Sequence, residues 1–535
     1  IASSNDGELF LNQLAHLTQT DVAASDDLTG STLLGGNWQL EYQKGAIEPN
    51  SLILSQMQGE FADVLANVAP TAADDSYTLP EDGSLVVDLL PSFDGGNLAN
   101  SGSTGTQSRD SQLVDIDGDG DLDILSSTQA ANEVSWLENT DGLGTFGGEQ
   151  VITSAAWGVR AVAAVDLDGD GDLDVLVGSA HDDTISWFQN DGAGNFGAEQ
   201  FIATDVMYVS DVTAADVDGD GHLDVVVADY QGDSLIWYKN TNGLGNFGAA
   251  QVIDNTINGA SSIQLVDIDG DSDLDIVSAS YADATIAWYE NTNGLGAFGP
   301  KQALATDAFG ANTVVVADID GDGDLDVVAN YANRDSVVWF SNNGVGSFSA
   351  AQVISSAIDG AYGIAVDDLD GDGDQDVVVT GERANTVSWF ENTDGIGGFG
   401  SEIVLSNTIA RAMYLDIGDI DGDGHLDVLA ESYDNGDITW FKASQDYLTS
   451  NDIDPDGDSL STILVTDVSN GVLVLNNDGS FTYTPDDNFN GVDSFSYKIN
   501  DGTVDSNTAT VTLNVTAVND EPQGLDKTIS AIEDT

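Results

Sequence analysis

The sequence predicts a mainly β protein: a seven-bladed β-propeller joined to a small β-sandwich, with a small α/β segment at the front. Three observations carry this. First, the acidic string Asp-x-Asp-Gly-Asp-(Gly/Ser)-x-(Leu/Gln)-Asp occurs seven times, starting at Asp115, Asp166, Asp216, Asp267, Asp318, Asp368 and Asp419, always 50 or 51 residues apart. Second, a tryptophan keeps the same beat, at Trp136, Trp187, Trp237, Trp288, Trp339, Trp389 and Trp440. Third, the intervening residues form short apolar and β-branched runs broken by Gly-rich turns, with no long amphipathic helical period. Four short strands repeated about fifty residues apart is the pattern of propeller blades, which close in rings of roughly four to eight.

One unit shows the strands in order. Ala161 to Val165 is short and apolar, the acidic loop Asp166 to Asp174 follows, and Val175-Leu176-Val177 is β-branched. Thr184 to Phe188 alternates around Trp187, Asn190 to Gly197 is a turn, and Gln200 to Ile202 is again strand-like. A third column marks that turn: Phe146, Phe196, Phe247, Phe298, Phe348 and Phe399. The seventh unit has no such Phe and no fourth strand. Phe93-Asp94-Gly95-Gly96-Asn97 stands ahead of the first loop instead, so residues 93–106 are expected to supply the missing strand and close the ring, which removes two open sheet edges.

The flanks read differently. Residues 1–69 hold an expected helix from Gly7 to Leu17 capped by Asp6, then a Gly-rich stretch around Gly35-Gly36-Asn37-Trp38. Residues 443–519 alternate as short strands at Phe481-Thr482-Tyr483, Asp493 to Tyr497 and Ala509 to Val515, a small sandwich pattern. Pro70 lies 11 residues before Glu81-Asp82, as Pro522 lies 11 before Glu533-Asp534, so residues 520–535 read as the opening of a second copy of the module begun at 70. Either the ring at 93–442 interrupts one sandwich begun at 70–92, or the two flanks are independent. Ile1 falls inside what reads as a domain, so the chain is expected to be a piece of a longer protein.

Charge is the strongest compositional signal: 93 acidic against 11 basic residues, a formal net charge of −82 in 535 residues. That balance excludes nucleic acids and anionic lipid surfaces as partners and opposes compaction unless cations neutralise it. Cysteine is absent, so disulfides and thiolate metal sites are excluded. No run is long and apolar enough to predict membrane insertion.

Each acidic string places oxygen-bearing side chains at alternate positions of a tight loop. In order they are Asp115, Asp117, Asp119, Asp121 and Asp123; Asp166, Asp168, Asp170, Asp172 and Asp174; Asp216, Asp218, Asp220, His222 and Asp224; Asp267, Asp269, Asp271, Asp273 and Asp275; Asp318, Asp320, Asp322, Asp324 and Asp326; Asp368, Asp370, Asp372, Asp374 and Asp376; and Asp419, Asp421, Asp423, His425 and Asp427. Hard carboxylate oxygens in this number suit Ca²⁺, which takes about six to eight oxygens in a tolerant geometry. Histidine in two loops implies that the seventh position offers its backbone carbonyl, while positions one, three, five and nine offer carboxylates. An EF-hand is excluded because position twelve of the first loop is Ser126, not Glu, and the flanks are β-like. Ser272 replaces a loop glycine in the fourth string and marks it as the strained one. Asp452, Asp454, Asp456 and Asp458 offer a further calcium site in the sandwich, against an ordinary acidic turn as the alternative.

These loops and the Phe-Gly turns resemble FG-GAP (VCBS-type) repeats of integrin α-like propellers and bacterial surface proteins, over residues 93–442. The resemblance implies one calcium per loop, about seven in all, held by positions one, three, five and nine, and a loop joining the first two strands of each blade. Residues 443–519, with Asn451 to Asp458 and the closing Asn519-Asp520-Glu521-Pro522, resemble cadherin-like repeats of bacterial adhesins. Residues 1–69, through Asp21 to Asp26 and Gly35 to Glu41, resemble the end of an uncharacterised domain common at the front of such proteins.

The tryptophan column reads as packing between blades, while Trp157, outside the column, reads as the better exposed contact. His16, His181, His222 and His425 form no catalytic zinc pattern, and carboxylates are too abundant to mark a glycosidase pair. The expectation is therefore a secreted or cell-surface adhesion and recognition module, not an enzyme, with structural calcium. Its partner would be a glycan or protein on a cell or matrix surface, or copies of itself. The alternatives are a filament subunit joined through its terminal strands and a polysaccharide-acting enzyme.

Overall fold

The computed structural model describes residues 69–518 except 82, 88–90, 101–106, 445–447, 450, 455–459 and 478, together with the strands Val22–Ala24 and Tyr42–Lys44. The expected helix at 7–17, the module opening at 520–535, and Asp456 and Asp458 lie outside the described residues. Two units are formed, one by residues 90–445 and one by the flanking residues 1–89 and 446–535.

The larger unit contains seven antiparallel four-stranded sheets. Blade one is built from Ser108–Val114, Asp123–Thr128, Glu133–Leu137 and Gln150–Thr153, innermost strand first. Small and β-branched residues fill the second and third strands because both faces of each are covered: Asp174–Ser179 and Thr184–Phe188 are buried at every residue. The acidic string forms the loop between the first two strands, so its carboxylates gather at one end of the ring. The innermost strand runs toward that loop, which puts its first residues at the opposite end.

Blade seven combines Ala412–Gly418, Asp427–Ser432 and Ile438–Phe441 with Asn97–Asn100, in the register Ile438↔Asn100, Thr439↔Leu98 and Trp440↔Asn97. Of the expected closing strand at 93–106, Asn97–Asn100 pair with the blade, and residues 101–106 lie outside the described residues. Ser92–Phe93 pairs separately with Ala443–Ser444, and Gly96, at φ +92°, turns the chain between the two pairings.

All seven column tryptophans are buried. Their rings wedge between blades: a Cβ placed on Gly194 would stand 2.3 Å from Trp136 Cζ2, and one on Gly144 would stand 2.3 Å from Trp440 Cζ2. Only glycine fits there, at φ +69° and +78°. Polar links lock the inner ring as well. Asp110 Oδ2 accepts from Val162 N at 3.0 Å, Asp211 Oδ2 from Ile263 N at 2.8 Å, and Asp416 Oδ2 from Leu113 N at 2.7 Å.

The smaller unit is a two-sheet sandwich. One sheet orders Asp75–Pro80, Ala509–Thr516, Gly491–Asn500 and Ser461–Thr466, the first pair parallel. The other orders Gly471–Leu475, Phe481–Pro485 and Leu85–Val87. Alternate residues face inward, as the period of two requires: Phe495, Tyr497 and Ile499 from one strand and Val511, Leu513 and Val515 from its neighbour join Phe481 and Tyr483 in one core. Residues 75–87 and 461–516 therefore share sheets although the whole ring lies between them in sequence.

Candidate metal centre

Each acidic loop is organised by its own backbone. The first-position carboxylate accepts from the sixth-position N–H in all seven loops, at 2.8–3.1 Å. That bond requires a left-handed sixth residue, and glycine takes φ +88° to +101° in six loops. Ser272 is forced to φ +77° in the fourth, the strain its sequence position predicts.

The ninth-position carboxylate anchors the loop to its blade. Oδ1 of Asp123, Asp174, Asp224, Asp275, Asp326, Asp376 and Asp427 accepts a backbone N–H sixteen residues on, at 2.7–2.9 Å. All seven carboxyls are buried, and burial pushes each up to about 7. A cation beside them would reverse that cost.

Positions one, three and nine come together as a triad of oxygens, each within 4.8 Å of the others, in Asp115/Asp117/Asp123, Asp166/Asp168/Asp174, Asp216/Asp218/Asp224 and Asp318/Asp320/Asp326. In the fourth loop the group is Asp267/Asp269/Asp271. Third-position oxygens face inward without a donor: Oδ1 of Asp168, Asp218, Asp269, Asp320 and Asp421 is buried and accepts no hydrogen bond. Repeated buried oxygens without donors, in loops dominated by carboxylates and carbonyls, fit a hard divalent cation. Position seven is turned away. Asp121, Asp172, His222, Asp273, Asp324 and Asp374 pack under Gly142, Gly192, Gly243, Gly294, Gly344 and Gly395 of their own blade's turn.

Asp452 sits differently. Its carboxylate accepts from Ala73 N at 2.7 Å and from the Tyr497 hydroxyl at 3.2 Å, inside the sandwich.

Two columns that bear on these loops escape a reading of the acidic string. The first is Asn139, Asn190, Asn240, Asn291, Asn342 and Asn392, three residues after each tryptophan. Each is buried, and its Nδ2 donates to the second-position carbonyl of the preceding blade's loop: Ile420, Ile116, Leu167, Val217, Ile268 and Ile319, at 2.7–2.9 Å. The second is the residue two after each tryptophan, which varies and so shows no repeat. Gln189 donates to Asp168 at 2.5 Å and Ser341 to Asp320 at 2.9 Å. Glu138, Glu290 and Glu391 place a further negative charge against Asp117, Asp269 and Asp370. Lys239 pairs with Asp218 and, at 2.7 Å, Asp220; Lys442 pairs with Asp421 and, at 2.7 Å, Asp423. The two loops that carry lysine are the two with histidine at position seven.

Seven four-stranded sheets closed by a terminal strand, each with a carboxylate loop between its first two strands, define a β-propeller with one candidate cation loop per blade. The chain belongs to the FG-GAP-like repeat family, whose matches at 115–177, 166–227, 216–278, 267–329, 318–379 and 368–430 together cover more than half of it. A bacterial Ig domain matches residues 419–514 and a domain of unknown function (DUF4347) residues 1–65. The start of the Ig match overlaps blade seven, where strand pairing assigns 427–441 to the ring. Among solved structures, a lectin from Agrocybe aegerita that recognises non-reducing terminal N-acetylglucosamine is similar at 22% identity over 63% of this chain and 85% of its own, with a TM-score of 0.46. The V. cholerae biofilm matrix protein Bap1 matches at 14% identity over 66% and 91%, with a TM-score of 0.40. A protein from Lactobacillus plantarum matches at 14% over 58% and 90%, with a TM-score of 0.41. No curated protein matches the chain. Among the described residues no helix is long and apolar enough to cross a membrane.

Proposed function

We propose that this chain is a calcium-dependent recognition module of a larger extracellular bacterial protein, binding a glycan or protein without turning it over. The observation that carries the reading is the set of seven carboxylate loops at one end of the ring, with one third-position oxygen, Oδ1, buried and without a donor in five of them. Calcium in these loops would be structural. It would neutralise each cluster, with ligands at positions one, three, five and nine and the carbonyl of position seven, and hold the first two strands of each blade together. Loops of this kind suit the high calcium outside cells, where modules bind with dissociation constants of about 10⁻⁴–10⁻³ M. The bacterial Ig match agrees with a place among surface proteins. Thermal melting with calcium and with a chelator tests the structural role. A large drop on chelation, together with calcium-dependent capture on a glycan or protein array, supports the reading; unchanged melting and calcium-free folded protein would overturn it.

A further inference from the structure

The end of the ring opposite the acidic loops mixes acids, among them Asp183, Asp233, Asp335 and Glu382, with the arginines of the chain. All five arginines of the chain lie there: Arg109 and Arg160 in the second position of innermost strands, Arg334 and Arg383 in turns between second and third strands, and Arg411 just before an innermost strand. Four are stacked on aromatic rings. Arg160 lies 5.0 Å from the centre of Tyr208 and Arg334 4.8 Å from Phe309, while Arg109 and Arg411 share the Tyr433 ring at 4.6 and 4.3 Å. Arg334, Arg383 and Arg411 pair with carboxylates. Arg109 and Arg160 pair with none among the described residues, in a chain with 93 acids to choose from.

Arg160 lines a cavity of about 200 Å³ on the axis of the ring, with Tyr230, Tyr362, Tyr414 and hydroxyl and amide side chains from the other blades. Its Nη1 donates to the Tyr208 hydroxyl at 3.1 Å, and its Nε is buried with no acceptor. Asp110 and Asp211 also line the cavity, but each turns a carboxylate oxygen to the N–H of the next blade's inner strand. A guanidinium partly withdrawn from water with an unused donor is costly unless an anion completes it.

Aromatic rings lead from this cavity to the surface. Tyr230 meets Tyr208 at 5.6 Å, Tyr208 meets His181 at 6.3 Å, and His181 meets Trp157 at 5.8 Å. Trp157 is 57% exposed. Aromatic faces suit the apolar faces of sugar rings, so the strip and the guanidinium together specify a ligand that is both a saccharide and an acid. We propose that the axial cavity binds an acidic saccharide, its carboxylate or sulfate paired with Arg160 and adjoining rings laid along Tyr208, His181 and Trp157. This narrows the recognition reading above to one ligand class and one end of the ring.

Calorimetric titration of the calcium-loaded chain with oligoglucuronate, its carboxyl-reduced counterpart and a sulfated form of that neutral sugar tests it. At least one acidic sugar should bind ten-fold or more tighter than the neutral one, and which one binds distinguishes uronate from sulfate. Arg160→Met should abolish that preference, and Trp157→Ala should weaken binding several-fold, both with melting unchanged. If Arg160→Met does not fold, Arg160→Gln, which keeps a donor for the Tyr208 hydroxyl but carries no charge, should weaken acidic binding alone. Equal binding of neutral and acidic sugars, or undiminished binding by Arg160→Met, would overturn the proposal. Failure of every acidic sugar, with calcium-dependent capture of a neutral glycan or a protein, would overturn it too and leave the recognition reading standing.

Discussion

Asn190 Nδ2 donates to the Ile116 carbonyl at 2.8 Å and so ties blade two to the cation loop of blade one. The same amide also reaches the Leu173 carbonyl of its own blade, at 2.9 Å. Six blade boundaries carry this bond. At the seventh, Ala443 stands where the asparagine would be and retains only the backbone donation to Asp427, at 2.8 Å. There the Phe93 ring meets Trp389 edge-on at 6.0 Å instead. The loops and the blade contacts are thus one structure, and a cation held in one loop would also steady the neighbouring blade.

Asn190→Ala should destabilise the calcium-loaded chain by about 2 kcal/mol, because two buried carbonyls each lose a donor. The anchor of Asp174 comes from the backbone N of residue 190, at 2.9 Å, and survives the change. Urea unfolding at saturating calcium measures the cost. A loss well under 1 kcal/mol would show that the amide does not hold the blades.

The lysines of blades three and seven predict unequal loops. The Lys239 ammonium holds Asp220 below the usual carboxylate range, and Lys442 sits equivalently on Asp421 and Asp423. An ammonium on two carboxylates of a candidate cation loop would compete with a divalent cation. Lys442→Gln should therefore raise the calcium affinity of the seventh loop on the order of tenfold, whereas Glu138→Lys should lower that of the first. Terbium luminescence titration, with its site count, reads both changes. Identical titrations for parent and variants would contradict the competition.

Ser272→Gly should stabilise the chain by about 1 kcal/mol, since a side chain in the left-handed region costs roughly 1–2 kcal/mol and glycine loses part of that gain to unfolded-state entropy. The Ser272 N–H bond to Asp267, 2.9 Å, needs only the backbone. Gly171→Ser is the converse and should cost a similar amount. Chemical denaturation of both decides it, and no gain in the first would remove strain as the account of φ +77°.

Much of the ring was legible because its chemistry repeats in sequence. The Asp, Trp and Phe columns fix blade number, loop position and packing role, and the missing Phe after Trp440 points to the strand that supplies Asn97–Asn100. The asparagine column was equally periodic, but its meaning lies in a contact to a residue more than seventy positions away. The residue after next to each tryptophan is Glu, Gln, Lys, Glu, Ser, Glu and Lys, and variation of that kind conceals a shared place beside the loop. The axial cavity had no signature at all. It is made where residues from 110 to 415 converge, each ordinary in its own stretch of chain.

The joint between blades seven and one gives the pH prediction. Glu431 is buried there, accepting from Ser108 and, at 2.9 Å, from Ser126. Burial pushes its carboxyl from 4.5 up to about 7. A raised acid favours the protonated form in the folded state, so its stabilising effect is complete below pH 4.5 and is lost as pH rises through about 7. The loss over that window is on the order of 3 kcal/mol. Glu431→Gln keeps an acceptor for both serines and cannot ionise. It should match the parent near pH 5 and exceed it in stability at pH 8. Burial also pushes the ninth-position loop carboxyls up to about 7, so the comparison is made between parent and variant at each pH with calcium saturating. A parent-minus-variant difference that stays flat from pH 5 to 8 would mean that Glu431 keeps its charge in the folded ring, leaving two serine hydroxyls to stabilise a buried carboxylate.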